Sequence, residues 1–147
     1  MVTSSNTTPY LQPTPQAARH FVMKQIYGEV YMLNLLRFRA MADYSATPEL
    51  MPLSAISGAE AFQRYIQHTL PFLRQSGGDI IFFGAADSWL IGPQDERWDC
   101  AMLVRQSSAE AFLAFANNEA CMQGIGHRTA ALEDSRLLPM TQRDALM

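Results

Sequence analysis

The sequence carries little charge and has no long apolar run, and both absences exclude classes of function. Only 17% of the 147 residues are charged, and the net charge at pH 7 is −3. No basic stripe of the kind that binds phosphates is present, so we expect no nucleic-acid partner. No apolar run approaches the ~20 residues that span a bilayer, so we expect no membrane partner either. A hydrophobic content of 48% is typical of one globular domain with a sizeable core.

Cysteine and histidine are scarce, and their spacing makes no metal site. Cys100 and Cys121 form no disulfide framework, and no two of the three histidines are spaced as metal ligands. The glycine-rich motifs that bind nucleotides and the elbow motif of serine nucleophiles are also missing. We therefore expect no metal and no nucleotide cofactor. The chain begins without a secretory signal, and a cytoplasmic location is predicted.

The first 28 residues are predicted to stand apart from the rest of the chain. Residues from Met1 to about Pro13 are rich in serine, threonine and proline, which is typical of a tail or an extended strap. Thr14 and Pro15 favour the start of a helix, and Gly28 can end it. We assign residues 1–28 to this tail and short helix, and residues 29–147 to the main domain.

In the main domain, periodicity and capping residues predict alternating strands and helices. Two capping boxes, at 57–60 and 107–110, open the two helical regions. A long irregular stretch precedes the first of them, and such connections are more often functional or mobile than idle. The strands are predicted at Val30–Phe38, Asp79–Ile91, Arg97–Gln106 and Arg136–Met140. The order β-α-β-β-α-β is the ferredoxin-like arrangement, an α+β fold with a four-stranded antiparallel sheet.

The predicted strands are apolar on both faces, although this fold covers only one face with helices. Strict alternation places Ile80 with Phe82 on one face, and Trp98 with Met102 on one face. An uncovered apolar face of this breadth marks an association surface. We expect a homodimer with the two sheets face to face. The alternative is a monomer whose leading helix folds over the open face.

Five fragments resemble a known family. They are NLLRF (34–38), SGAEAFQRY (57–65), GGDIIFFG (77–84), WDCAMLVR (98–105) and HRTAALEDSRLLPM (127–140). Over roughly Val30 to Met140 they resemble a domain-of-unknown-function branch of the dimeric α/β-barrel superfamily. The resemblance implies a dimer whose two sheets form a barrel, with a pocket between sheet and helices in each subunit. Relatives often carry Asp-Pro-x-Tyr where this chain has NEAC (118–121), so no shared role for that tyrosine carries over.

Polar side chains on otherwise apolar elements are the candidate ligand-binding residues. Asn34 interrupts a buried strand, where an amide without a partner costs stability. An arginine fork can bind a carboxylate, and aromatic rings can wall a pocket. The seven candidates are Asn34, Arg37, Tyr65, Trp98, Asp99, Arg105 and Arg128. For the charged residues the plainer interpretation is ion pairing, of Arg105 with Asp99 and of Arg128 with Glu133 or Asp134.

Two functions remain open at this point. The first is the binding or conversion of a small, partly aromatic organic acid in an apolar pocket. The second is a non-catalytic assembly module, in which the polar residues only fix the register of the dimer. Whether the protein is an enzyme is left open, and no catalytic residue is assigned.

Monooxygenase and haem-degrading activities, which occur in the superfamily, rank below both. Haem-degrading members use an Asn, a Trp and a His, beside which Asn34, Trp98 and His127 can be set. The helical period running through Met122, Ile125, Thr129 and Leu132 points His127 outward, although a break of this helix at Gly124 or Gly126 would turn it inward. His20 and His68 are likewise predicted to face solvent.

Overall fold

The computed structural model describes residues 8–144 and has the predicted ferredoxin-like order of elements. The strands are β1 (Val30–Phe38), β2 (Asp79–Ala85), β3 (Cys100–Gln106) and β4 (Leu132–Met140). They form one antiparallel sheet in the order β2-β3-β1-β4. The helices are α1 (Pro15–Met23), α2 (Gly58–Gln75), α3 (Ala109–Ala116), α4 (Glu119–Met122) and α5 (Ile125–Ala131). The α+β fold class is confirmed. No helix in the described part of the chain is long and apolar enough to cross a membrane.

One face of the sheet, which we call the helix face, carries the core. Val30, Met32 and Leu36 point to it from β1 and are buried. Phe62 and Leu73 of α2 are buried in the same cluster. The complete burial of each such side chain contributes roughly 1.5–3 kcal/mol, so this layer stabilises the subunit.

The other face, which we call the open face, is crossed by one apolar row. The strand register aligns Phe82 with Leu103, Leu103 with Leu33, and Leu33 with Leu138. The outer members are exposed, Phe82 by 61% and Leu138 by 55%. Since the row spans all four strands, the sheet is apolar on both sides, as the sequence predicts.

Helix α1 does not cover the open face. Thr14 caps it as predicted, by accepting a hydrogen bond from the backbone N–H of Ala17. Its Phe21 makes an edge-to-face contact with Phe112 of α3, at 5.6 Å between ring centres, on the helical side. The predicted alternative of a monomer closed by this helix is therefore wrong.

The hairpin between β2 and β3 is less regular than predicted. The ladder stops at Ala85 and resumes at Cys100, and only an isolated bridge between Ser88 and Arg97 pairs the two arms of the intervening segment. A bulge between Ile80 and Phe82 then turns Phe82 to the open face, while Phe83 contacts Phe62 on the helix face. The prediction that Ile80 and Phe82 share a face is wrong because the extra residue changes the alternation.

The remaining boundaries differ in two places. Strand β4 begins at Leu132 rather than Arg136, so Asp134 and Ser135 belong to the sheet. The capping box at Ser57 and Glu60 is present, but the one predicted at Ser107 is not. Ser108 caps α3 instead, because the Ser107 hydroxyl donates to the carbonyl of Ser76.

Candidate functional site

The seven predicted site residues do not meet in one place. Four of them lie on the open face or at its end, namely Arg37, Trp98, Asp99 and Arg105, and the other three lie on the helix-face side. Trp98 was predicted on the same face as Met102, but it precedes β3 and lies under arginines of the open face. The strand period fails there because the ladder begins only at Cys100.

The open-face group centres on a stack around Trp98. The Arg37 guanidinium carbon lies 4.5 Å from the ring centre, and that of Arg136 lies 5.0 Å from it. Between the two arginines sits Asp134, whose side chain is 4% exposed and approaches Arg136 at 2.8 Å and Arg37 at 3.7 Å. Trp98 donates its ring N–H to Glu96. The polar groups of this cluster satisfy one another, as buried charges require.

Asp99 and Arg105 have local partners. Asp99 accepts a hydrogen bond from the backbone N–H of Phe38 at 2.7 Å and lies 3.7 Å from Arg97. Arg105 pairs with Glu29 at 3.6 Å rather than with Asp99. The predicted pair of Arg105 and Asp99 is therefore wrong, because Asp99 turns toward the end of β1.

Arg128 has a different environment. Its guanidinium donates to the backbone carbonyl of Leu11 and to the Ser135 hydroxyl on edge strand β4. Neither Glu133 nor Asp134 pairs with it, since both face Arg37. The predicted surface ion pair is wrong, and Arg128 makes no ion pair with any residue from 8 to 144. Burial lowers the pKa of this guanidinium.

Tyr65 and Asn34 face the same interior layer. Burial raises the pKa of Tyr65, which lies within electrostatic reach of Arg128. Asn34 shares the helix face with Met32, and its amide donates to the carbonyls of Met32 and Met102 at 3.2 and 3.4 Å. Because Asn34 pairs with Leu137 across β1 and β4, it is a diagonal neighbour of Ser135. The helix-face group is therefore Asn34, Tyr65, Arg128 and Ser135.

The strap, residues 8–14, closes this group from outside. Tyr10 donates its backbone N–H to Asp134 at 2.8 Å and stacks its ring 4.9 Å from the guanidinium of Arg136. The carbonyl of Tyr10 accepts from Ser135, and the next carbonyl, of Leu11, accepts from Arg128. The strap thus connects the open-face stack to the helix-face group around edge strand β4.

A pair that the sequence analysis missed joins the long loop to α5. The hydroxyl of Tyr44 lies 2.7 Å from Nδ1 of His127. His127 was predicted to point outward, but the helix breaks between Met122 and Ile125, which resets the helical phase. Gly124 and Gly126 were the sequence signal for that break. His127 is half-buried, and burial, followed by the charges of Arg64 and His68, lowers its pKa.

Two grooves open near these groups. One, of about 450 Å³, lies between α2 and the sheet and is walled by Phe38, Phe62, Phe83 and Cys100. The other, of about 390 Å³, lies between the long loop and the α4–α5 turn, with Thr47 and Gly126 among its lining residues. Neither groove is lined by Asn34. Within residues 8–144, no three His, Cys, Asp or Glu side chains are grouped as metal ligands.

Asn34, Trp98 and His127, which were compared with a haem-degrading site, lie apart. Asn34 faces the helices, Trp98 is stacked between arginines beyond the open face, and His127 binds Tyr44 in the helical layer. The three side chains therefore form no common site in this subunit.

Comparison with known proteins gives the family. No protein-family model and no curated protein matches the sequence. A crystal structure of RPA0582, a protein of unknown function from Rhodopseudomonas palustris, is 31% identical with a TM-score of 0.82, covering 94% of this chain and 100% of that one. The methylated RPA0582 structure gives 30% identity and a TM-score of 0.84, with coverages of 96% and 100%. The chain belongs to the RPA0582 family.

Membership of the RPA0582 family confirms the prediction of a family of unknown function with this fold. A dimeric ferredoxin-like protein of unknown function from Jannaschia sp. CCS1 is also similar, at 14% identity over 78% of this chain and all of that one. Its TM-score is 0.44, which supports no conclusion about how the RPA0582 family assembles.

Proposed function

We propose that the protein is a homodimer that binds a small, partly aromatic organic acid at Arg128 in each subunit. The observation that carries the acid-binding part is a half-buried guanidinium without an acidic partner. A charge withdrawn from water loses solvation free energy unless it is paired, and Arg128 has only a carbonyl and a hydroxyl as acceptors. A carboxylate is the group that a guanidinium fork recognises.

The neighbours of Arg128 suit the same ligand. Because burial raises the pKa of Tyr65, its phenol stays protonated at pH 7 and can donate to a carboxylate. An aromatic part of the acid would pack on this ring, which also contacts Phe62 at 5.4 Å between ring centres. Asn34 would orient the ligand from the sheet, and the Leu11 carbonyl would give way to the incoming carboxylate. The proposal needs no metal or nucleotide cofactor.

Thermal unfolding with matched ligands tests the acid-binding proposal. Benzoate should raise the melting temperature, while benzamide, which has the same shape without the charge, should not. Arg128→Met should remove the effect of benzoate. Arg19→Met, at an exposed position on α1, should keep it and serves as the control for lost positive charge.

A benzoate effect that survives in Arg128→Met would assign binding elsewhere and end this proposal. If no aromatic or aliphatic carboxylate stabilises the protein although the dimer persists, the assembly-module alternative is the better description. Whichever description holds, we propose that the open-face residues shape the ends of the dimer face. These residues are Arg37, Trp98, Asp99 and Arg105.

The homodimer is carried by the apolar row across the open face. Phe82, Leu103, Leu33 and Leu138 form a continuous band that only another apolar surface can cover. The next row on one side contains the polar Arg105 and Tyr31, and the next row on the other side ends in Arg136 beside Leu35 and Ala101. An apolar centre with a polar rim is the usual anatomy of an interface, and two copies of one face can cover each other by two-fold symmetry.

Sedimentation equilibrium tests the homodimer. Leu138→Glu places a charge in the apolar row of the proposed interface, and because Leu138 is largely exposed in the subunit, the substitution should leave the fold intact. We expect the variant to be monomeric at concentrations where the wild type is dimeric. Leu53→Glu, at a fully exposed leucine of the long loop, should stay dimeric. A wild-type protein that is monomeric at every concentration would contradict the homodimer proposal.

We also propose the predicted division into residues 1–28 and 29–147, and a cytoplasmic location. Of the first segment, residues 1–7 lie outside the described residues, and residues 8–28 pack on the core through Leu11, Phe21 and Ile26 without adding a strand, so the sheet lies entirely in the second segment. Cys100 and Cys121 are both free, and burial raises the pKa of each thiol. Unreactive free thiols suit a reducing compartment.

A further inference from the structure

The strap is attached to the domain through side chains and adds no strand to the four-stranded sheet of the described chain. Tyr10 donates its backbone N–H to Asp134 at 2.8 Å, and its carbonyl accepts from the Ser135 hydroxyl. The carbonyl of Leu11 accepts from the Arg128 guanidinium. Side chains of β4 and α5 therefore hold two adjacent residues of the strap.

The two strap carbonyls use the same donors that a carboxylate would use. Tyr10 and Leu11 are neighbours in the chain, and their carbonyl oxygens accept from Ser135 and from Arg128. The two donors are also linked to each other, since Arg128 donates to the Ser135 hydroxyl at 3.3 Å. A hydroxyl and a guanidinium can equally donate to the two oxygens of one carboxylate. The docked strap therefore occupies the donors that the proposed acid needs.

Few apolar contacts keep the strap in place. Tyr10 is 54% exposed, and Leu11 is only partly buried against the core. The adjoining helix α1 contains no fully buried residue and packs on the core through Phe21. Segments with few buried apolar contacts open at a lower free energy than the rest of a domain. The strap can therefore detach while the sheet stays intact.

The ring of Tyr10 attaches the strap at a point outside the acid site. It stacks 4.9 Å from the guanidinium carbon of Arg136, which in turn lies 5.0 Å from the ring of Trp98 on the open-face side. An exposed cation–π contact shifts an equilibrium by about two- to fivefold. The docked state can therefore be weakened at Tyr10 without changing Arg128 or Tyr65.

We propose that the strap competes with the acid for Arg128 and Ser135. When docked, it gives both donors its own carbonyls as acceptors, and an incoming carboxylate displaces it and takes both donors. This inference rests on the acid-binding function proposed above and describes how that site is regulated. Because the two occupants exclude each other, every contact that holds the strap weakens acid binding, and the acid loosens the strap by the same factor.

Hydrogen exchange in the strap, measured with and without benzoate, tests the displacement. The Tyr10 amide is the reporter, because its N–H is bonded to Asp134 in the docked state. Saturating benzoate should speed its exchange by about fivefold or more, which is the lower end of typical coupling between two sites. Benzamide should leave the exchange unchanged, and benzoate should have no effect on it in Arg128→Met.

Calorimetric binding of benzoate to two tyrosine variants tests the competition. Tyr10→Ala removes the stack on Arg136 and should tighten benzoate binding about two- to fivefold, because the strap is detached in a larger fraction of the molecules. Tyr27→Ala is the matched control. It removes the same ring at an almost fully exposed position beyond α1 and should leave the Kd unchanged.

The inference and the function on which it rests fail in different ways. Benzoate that binds without speeding exchange at Tyr10 would make the strap a fixed wall of the site. A Kd that Tyr10→Ala leaves unchanged or weakens would exclude competition, although acid binding itself would stand. Binding seen only in Tyr10→Ala would support the inference, since the docked strap then blocks the site in the wild-type protein. If no carboxylate binds to either protein, the acid-binding proposal fails and this inference fails with it.

Discussion

The arginines on the two sides of the sheet have different partners. At the open face one buried carboxylate, Asp134, serves two guanidiniums, Arg37 and Arg136, and both guanidiniums stack on the ring of Trp98. On the helix-face side the half-buried Arg128 has only a carbonyl and a hydroxyl as acceptors. The open-face cluster is complete within one subunit, whereas the helix-face cluster lacks an anion. We propose that this difference separates residues that hold the structure together from a residue that binds a ligand.

The largest effect should come from Asp134→Ala. The substitution leaves two arginines and the backbone N–H groups of Tyr10 and Ser135 without their acceptor. Breaking a buried pair by removing one partner costs about 3–5 kcal/mol, and we expect that loss in the free energy of urea unfolding. Glu133→Ala, next to it but exposed, should change the same quantity by less than about 0.5 kcal/mol.

Comparable losses in Asp134→Ala and Glu133→Ala would contradict the view that the open-face cluster is structural. The strap should respond as well, because Tyr10 donates to Asp134. Hydrogen exchange at the Tyr10 amide should therefore be faster in Asp134→Ala than in Glu133→Ala.

A smaller effect should come from replacing Arg128 or Arg37 by methionine, and the change in the free energy of unfolding should differ between the two positions. Methionine at position 128 removes a half-buried charge that has no acidic partner, so the free energy of unfolding should stay the same or rise by about 1 kcal/mol. Methionine at position 37 removes an acid-bound cation and the stack on Trp98, and should lower it by about 1 kcal/mol or more. Equal losses at both positions would show that Arg128 is already satisfied.

The smallest effect should be the contribution of His127 to the pH dependence of stability. Its folded-state pKa is lowered, chiefly by burial, so below the ordinary histidine pKa the unfolded chain binds more protons. Stability should therefore be complete above about pH 6.5 and decline as the pH falls below that value. The window to follow by urea unfolding is about pH 7.5 to 5.5, which spans the ordinary histidine pKa of about 6.5. His127→Gln should flatten the decline of stability in this window, while His20→Gln, at an exposed position, should not.

The fold was predictable because local signals agreed with one another. The Ser57 capping box, the Thr14 cap and the apolar β1 all appear where the sequence predicts them. The strand boundaries that were predicted wrongly depend on hydrogen bonding between strands and not on the conformational propensity of the residues. The bulge at β2, the early end of its ladder and the early start of β4 all depend on what the neighbouring strand offers.

The candidate site was predictable only in part. Arg128 and Tyr65 are half-buried polar groups within electrostatic reach of each other, but the seven candidates divide between two sides of the sheet, and their role in binding stays a prediction. Asp134 was missed because the last strand was predicted to begin at Arg136, which left Asp134 outside the sheet. His127 was misplaced because its helical phase was counted through a break at Gly124.

By itself the sequence determined a sheet that is apolar on both faces, because side chains alternate along a strand whatever it pairs with. It also determined where helices begin, because a cap acts within a few residues. Only the tertiary structure decided which arginine has a carboxylate as its partner, since Asp134 lies 97 positions from Arg37 (134 minus 37). A shift of one residue in the register of β4 would turn Asp134 to the other face of the sheet. Partners so distant in the chain are chosen by strand register and packing, and no local pattern records that choice.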